Sequence, residues 1–221
     1  MDPRHQHLTS LLGDGLKRMD LSIDPDQQSR LIDYLLLLDK WNNAYNLSGI
    51  RDIDRMVSYH LLDSLSLVPF IQGNTILDVG TGAGLPGIPL AIVFPEKRFL
   101  LLDSNGKKTR FLTQAKAQLG LENVEVYHAR IETFQTREQI DIVLCRAFAT
   151  LPRIVALTSH LLGAHSLLLA MKGQYPQEEI SGLPETAEVR QSLELQVPDV
   201  DGPRHLISIG PAGEEVTGKH Q

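Results

Sequence analysis

Cysteine is almost missing from this chain: Cys145 is the only one in 221 residues. An intramolecular disulfide and a cysteine-based zinc cluster are thereby excluded, and a lone thiol fits a reducing compartment. Long apolar runs are missing too. No uninterrupted stretch approaches the roughly 18 residues that a membrane span requires. The opening Met1-Asp-Pro-Arg-His-Gln-His lacks the charged-then-apolar order of a secretion signal. A cytoplasmic protein with no membrane partner is expected. Positive charge is in short supply, with 21 Lys and Arg against 27 Asp and Glu and a net charge of −6. No global basic field advertises a polyanionic partner, so a nucleic-acid contact would require a local patch. Internal repeats, low-complexity blocks and unpartnered heptads are lacking, which points to a monomer. No Ser-His-Asp or Cys-His constellation can be assembled from the motifs present.

With 42% hydrophobic and 22% charged residues, the chain has the composition of a globular protein of one domain with an appendage. The appendage is residues 1–70, which read as a helical cap. Asp24-Pro25 is an N-cap followed by proline at the first helical position, with Gln27 in the capping-box slot. Leu31, Leu35, Leu38, Trp41 and Tyr45 follow at three- and four-residue steps and predict one apolar face. A second helix is expected from Asp52 or Asp54 to about Val68, with Met56, His60, Leu61 and Leu65 inward and Pro69 ending it. Leu8, Leu11, Leu12, Leu16 and Met19 suggest a third, weakened by Gly13 and Gly15.

From residue 71 to 210 short β-rich runs alternate with amphipathic stretches, the pattern of an α/β, doubly wound, mostly parallel sheet with helices on both faces. Strands are expected at 75–79, 98–102, 123–128, 140–145 and 165–171, then at Ser192–Val197 and His205–Ile209, seven in all. Helices are expected near 86–94, 105–119 and 150–162, the second capped by Gly120. Residues 211–221 read as a disordered tail.

The most informative run is Ile76-Leu-Asp-Val-Gly-Thr-Gly-Ala-Gly-Leu-Pro-Gly87, a strand entering a turn with glycine at 80, 82, 84 and 87. Glycine there permits positive φ and a close approach of backbone to a ligand. Gly82–Gly87 is a literal G-x-G-x-x-G, which keeps a nicotinamide dinucleotide as one reading. The glycine that follows the strand is Gly80, however, so the register of that motif is off. Asp78 would also repel a pyrophosphate, while suiting the ammonium or sulfonium of S-adenosylmethionine. Asp103 ends the next apolar run, about 20 residues on, where a ribose-binding carboxylate belongs. It suits either ligand.

Ligands in open parallel sheets bind beyond the C-terminal ends of the strands. The residues after each strand therefore outline a pocket: Gly80, Gly82, Gly84 and Leu85, then Asp103, then Ile131 and Glu132, then Arg146. Ile131 would pack on an adenine face and Glu132 accept from its amine, unless Glu132 only serves a helix start. Arg146 would grip the methionine carboxylate or a substrate phosphate, unless it pairs with a local acid. Cys145 reads as core and His60 as a core or surface residue rather than a metal ligand. Lys107, Lys108 and Arg110, with Arg51, Arg55, Arg153 and Lys172, form either a phosphate-tracking patch or a solvated surface.

The stretches Trp41-Asn-Asn-Ala-Tyr45-Asn-Leu, His60-Leu-Leu-Asp63-Ser, Asp78 through Gly87, Leu102-Asp103-Ser, Arg146-Ala-Phe and Lys172-Gly-Gln together resemble the bacterial glucose-inhibited division protein B family. Its members are the 16S rRNA guanine-N7 methyltransferases, and the resemblance spans residues 25–210. It implies a class I, Rossmann-like methyltransferase fold, S-adenosyl-L-methionine as donor, and a guanine of the decoding region as acceptor. The partner implied is 16S rRNA in the small ribosomal subunit or its assembly precursor. The donor-binding positions it implies are Gly80, Leu85, Ile131, Glu132 and Arg146, with Asp103 on the ribose.

Guanine N7 carries an exposed lone pair, so it needs no deprotonation before attacking a methyl group. No general base is assigned, and Arg146 and Phe148 are expected to position the substrate, Phe148 by stacking on a base. A nicotinamide-dependent oxidoreductase and a non-catalytic ribosome- or RNA-binding module are the rival readings.

Overall fold

The computed structural model describes residues 2–213. Helix α1 (Pro3–Arg18) starts on Asp2, whose side chain accepts from the Arg4 N–H. Helix α2 (Pro25–Tyr45) starts on Asp24, which accepts from Asp26 N and Gln27 N, and ends on Asn46 in the left-handed conformation. Gln27 does not close a capping box. Its amide instead donates to Val93 O at 3.0 Å, and Arg30 donates to Leu119 O at 2.8 Å. Both acceptors sit at the C-terminal ends of helices covering the sheet, where carbonyls lack partners of their own. Leu31, Leu35 and Leu38 are fully buried, each contributing roughly 1.5–3 kcal/mol. Tyr45, expected inward, is 48% exposed and rests on Trp41 with ring centroids 5.2 Å apart.

The helical stretch after Asp52 is not uniform. It runs as α3 (Ile53–Met56), a π-helical turn (Val57–Leu62) and α4 (Asp63–Leu65), followed by a 3-10 turn containing Pro69. π-turns recur at functional sites because the extra residue re-aims side chains. Gly15 lets α1 press against this turn: a Cβ there would lie 2.3 Å from Leu62 Cδ1.

Beyond residue 74 come β1 (Thr75–Val79), α5 (Gly87–Val93), β2 (Arg98–Asp103), α6 (Gly106–Leu119), β3 (Val124–His128), β4 (Ile140–Arg146), α7 (Leu151–Thr158), β5 (Leu162–Lys172), α8 (Gln177–Ser181), β6 (Ala187–Glu194) and β7 (His205–Pro211). The sheet order is β3-β2-β1-β4-β5-β7-β6. β1 to β5 pair in parallel, while β7 runs antiparallel to both neighbours. Strand order reverses between β1 and β4, so the switch-point crevice opens at the tips of those two strands. Alternation splits the strands between two cores. Ile76, Phe99, Leu101 and Ile142 join the N-terminal helices, α5 and α6, whereas Leu77, Val79, Leu100 and Val143 pack with α7.

The structure differs from the expected elements in four places. β6 begins at Ala187 rather than Ser192, because this half-exposed edge strand takes its register from β7, Ala187 opposite Pro211. α7 stops at Thr158, and β5 starts early, at Leu162 opposite Ile140. The short α8 carries no apolar periodicity. Pro211, placed in the expected tail, closes β7, and Ala212 N donates to Thr186 O at 3.0 Å; residues 214–221 lie outside the described residues.

Candidate active site

β1 delivers the chain to the switch point, where the turn before α5 has Gly80, Gly82 and Gly84 at φ of +65°, +63° and +89°. L side chains enter that region only under strain. The glycines face different ways. A Cβ at Gly84 would lie 2.6 Å from Ile88 Cδ1, and one at Gly87 2.3 Å from Leu101 Cδ2, so both serve packing of the turn. At Gly82 the nearest protein atom would be Lys108 Nζ at 3.8 Å, leaving this glycine open to the crevice. At Gly80 the Phe148 ring covers the backbone, 2.2 Å from where a Cβ would sit.

Most backbone donors of the turn are already used. Gly80 N and Thr81 N donate to Leu102 O at 2.9 and 3.2 Å, Gly84 N and Leu85 N to Thr81 O at 2.9 and 3.0 Å. Gly82 N donates to Asp103 Oδ2 at 2.9 Å. A phosphate cradle presents such N–H groups to an anion. This turn presents the Asp103 carboxylate instead, which suits a ligand with hydroxyls.

Asp78 is 1% exposed; its Oδ2 accepts from Thr81 Oγ1 at 2.6 Å and Gly87 N at 2.9 Å, and its Oδ1 has no protein partner. Burial pushes its carboxyl up to about 6, against the pull of those two hydrogen bonds and the Arg146 charge. The sequence suggested a carboxylate facing the ligand. Strand alternation puts it instead beneath the turn, on the α5 side of the sheet, where its charge acts at a distance.

Two adjoining compartments open at the strand tips. One, about 580 Å³, lies between cap and sheet and is lined by Ser48, His60, Asp63, Gly80, Gly82, Leu85, Arg146, Lys172 and Arg204 among others. The second, about 420 Å³, is lined by Gly80, Asp103, Ile131, Glu132 and Phe148. Gly80, Lys108 and Ala147 border both. Each is large enough for part of a nucleoside-sized ligand. Asp103 faces the second with a carboxylate held by Gly82 N and, at 2.8 Å, Asn105 N. Ala147, at φ +49°, makes the reversal that sends Arg146 into one compartment and Phe148 into the other.

Charge in the first compartment centres on Asp63, which is 3% exposed. Its Oδ2 accepts from Arg146 Nη1 at 2.9 Å and its Oδ1 from Arg204 Nε at 3.0 Å. His60, on the π-helical turn, shares a 2.7 Å hydrogen bond between Nε2 and Ser48 Oγ, with Nδ1 buried and unpartnered. Burial, then the Arg146 charge, lowers its pKa to about 4, so the ring is neutral near pH 7. Lys172 Nζ donates to Ala149 O at 2.9 Å and Glu179 Oε2 at 2.7 Å. From the cap, Tyr34 donates its hydroxyl to Ala83 O at 2.7 Å and thereby holds the glycine turn.

A family model described as rRNA small subunit methyltransferase G, GidB, matches residues 27–207. The chain belongs to this family. Proteins named ribosomal RNA small subunit methyltransferase G are similar along nearly their whole length: one from Pseudomonas aeruginosa is 51% identical over 203 residues, covering 91% of this chain and 95% of that protein. Another from Marinobacter nauticus is 52% identical over 201 residues, covering 91% and 94%. Among solved structures, a SAM-dependent methyltransferase from Aquifex aeolicus aligns with a TM-score of 0.56 at 17% identity, covering 74% of this chain and 96% of that one. Coclaurine N-methyltransferase, solved with N-methylheliamine and SAH, aligns at 0.56 and 16% identity, covering 88% and 69%. These two likenesses establish the class I methyltransferase fold, and membership of the family sets the oxidoreductase reading aside.

Against this family background, the sequence-derived positions separate. Gly80, Gly82, Leu85, Asp103, Ile131, Glu132, Arg146 and Phe148 all border the two compartments. Gly84 does not, being turned onto Ile88 and Leu112. Of the basic cluster, Lys108 and Lys172 line the first compartment, whereas Arg51 donates to Asn42 O and Arg55 pairs with Asp201. Arg204, Asp63 in its charged role, Ser48 and Tyr34 went unassigned from sequence. Only Asp63 stood within a family-like motif; the others left no local signal.

Proposed function

We propose that this chain transfers the methyl group of S-adenosylmethionine to N7 of a guanine in the decoding region of 16S rRNA. The observation that carries the reading is the glycine turn itself, with most of its amides spent internally and the Asp103 carboxylate at its edge. Asp103 would accept from the ribose hydroxyls, Ile131 would pack on the adenine, and Glu132 would accept from its amine. Gly82 would let the donor approach the backbone, and Gly80 would border it beneath the Phe148 ring, with Leu85 as an apolar wall and Arg146 at the amino-acid end. The donor residues fit on one structural ground: Gly82 leaves open the space that a Cβ would fill. Bound there, S-adenosylmethionine supplies a methyl group on sulfur that N7 accepts without any proton leaving.

The first compartment fits that chemistry. Its one lining carboxylate, Asp63, is held between two guanidiniums, and His60 is buried and bonded to Ser48. Neither is placed to take a proton, and an N7 acceptor asks for none. What the residues do instead is orient: holding acceptor and donor in line at about 3–3.5 Å is the main source of rate. Phe148, 40% exposed over Gly80, would stack on a base. Arg146 and Arg204 share the single Asp63 carboxylate and so leave a local positive charge that the acidic chain lacks overall.

The acceptor proposed is rRNA in the small subunit or its assembly precursor, met in the cytoplasm by a monomer. Isolated exposed aromatics, Tyr45, Phe148 and Tyr175, rather than an apolar patch, support the monomer. Radiolabelled methyl transfer to small subunits from cells lacking this protein, with mapping of the modified base, tests the reading. Label on a guanine N7 is expected; binding without transfer would instead favour a silent RNA-binding module.

A further inference from the structure

Asp63 is a buried charge that the chemistry of methyl transfer does not use. A carboxylate that is 3% exposed is expensive to keep ionised unless it is paired, and here it is paired twice. The partners come from distant parts of the chain, Arg146 at the tip of β4 and Arg204 just before β7, 83 and 141 residues away. Asp63 itself is fixed on α4, where Ser66 Oγ donates to its carbonyl at 2.6 Å. Arg146 Nη1 makes a further bond to Tyr59 O at 3.3 Å. Both protein bonds of Arg146 use Nη1, so its guanidinium is gripped by one corner from the cap side. The rest of it faces the compartment bordered by Gly80, Gly82 and Leu85. One carboxylate between two guanidiniums leaves a net positive charge there.

Resting on the donor site proposed above, we propose that Asp63 is a positioning residue: it clamps Arg146 between cap and sheet so that the free edge of its guanidinium meets the carboxylate of the donor's amino-acid end. The clamp makes a demand that a purely architectural residue would not. Its loss should weaken only ligands that carry the amino-acid end. Two probes separate these cases, S-adenosylhomocysteine, which has that end, and 5′-methylthioadenosine, which lacks it but keeps adenosine and sulfur.

Isothermal titration of the full chain with each probe tests the proposal. In Asp63→Asn the dissociation constant for S-adenosylhomocysteine should rise about tenfold, while that for 5′-methylthioadenosine stays within about twofold. Each constant reports folded protein alone, so partial loss of fold does not imitate the selectivity. Should Asp63→Asn not fold, Asp63→Glu decides: it keeps the charge one methylene further out and should give the same selective loss at about two- to fivefold. Equal weakening of both probes, or of neither, overturns the positioning role. Failure of the unaltered protein to bind either probe would instead overturn the donor site on which it rests.

Discussion

At the scale of single residues, two of the buried titratable groups near the glycine turn, Asp78 and His60, pull in opposite directions. Asp78 is pushed from 3.8 up to about 6, so the folded state holds its proton more tightly than the unfolded chain does. Its contribution to stability therefore falls as pH rises from about 4 to about 6. His60 is lowered from 6.5 to about 4, so the unfolded chain takes up its proton first, and its contribution is lost as pH falls through the same interval. Each shift amounts to about 3 kcal/mol at full extent, and between pH 4 and 6 they offset one another. Relative to the unaltered protein, His60→Gln should become more stable on acidification from pH 6 to 4, and Asp78→Asn less stable. Urea unfolding at three pH values across this window measures both, and parallel curves for all three proteins would contradict the assigned shifts. Gly80 carries a different demand. Gly80→Ala imposes a left-handed alanine costing about 1–2 kcal/mol and drives Cβ into the Phe148 ring. Methyl transfer should fall more than stability does, read as activity per folded molecule.

At the scale of elements, the cap is bonded to the site rather than laid over it. α2 sends Tyr34 to Ala83 O, Gln27 to the end of α5 and Arg30 to the end of α6. Tyr34→Phe keeps the ring contact with Phe111 but leaves Ala83 O without its partner, a loss of about 1–2 kcal/mol. A melting temperature lower by about 4 °C is expected, with weaker donor binding by titration, since the turn loses its outside brace. Gly15→Ala should destabilise by about 1–3 kcal/mol in chemical denaturation, because α1 meets the π-helical turn through that missing Cβ. The main elements were legible because their signals are local: Asp24-Pro25 starts a helix, Gly120 ends one, and strand-length apolar runs mark β1 to β5. The π-helical turn was not legible, since nothing in Val57–Leu62 distinguishes it from α-helix; packing against α1 accompanies it. Nor were the bounds of β6, whose register belongs to its partner.

At the scale of the whole molecule, cap and sheet share one hydrophobic core that runs from Leu8 to Leu206. We propose residues 1–70 and 71–210 as cap and methyltransferase units that unfold together. Calorimetry should therefore show one transition, and S-adenosylmethionine at about 100 times its dissociation constant should add about 2.7 kcal/mol, raising the midpoint by roughly 5–10 °C. Two transitions, with only the later one moved, would mean that the cap folds independently and lies outside the donor site. The association with rRNA should depend on salt through the few cations at the crevice, not through the net charge of −6.

What the sequence by itself determined is whatever nearest neighbours along the chain decide: the alternation of strands and helices, the left-handed glycines, and an acid about 20 residues beyond them. With the family-like motifs, that was enough to name the fold, the donor and the acceptor. The tertiary structure decided which way side chains face once strand alternation and the cap are in place. It turned Gly84 and Asp78 inward, opened Gly82 to the crevice, and brought Asp63, Arg146 and Arg204 together across 141 residues. A charge buried by three separated segments has no local pattern to announce it, because its partners become neighbours only when the chain has folded.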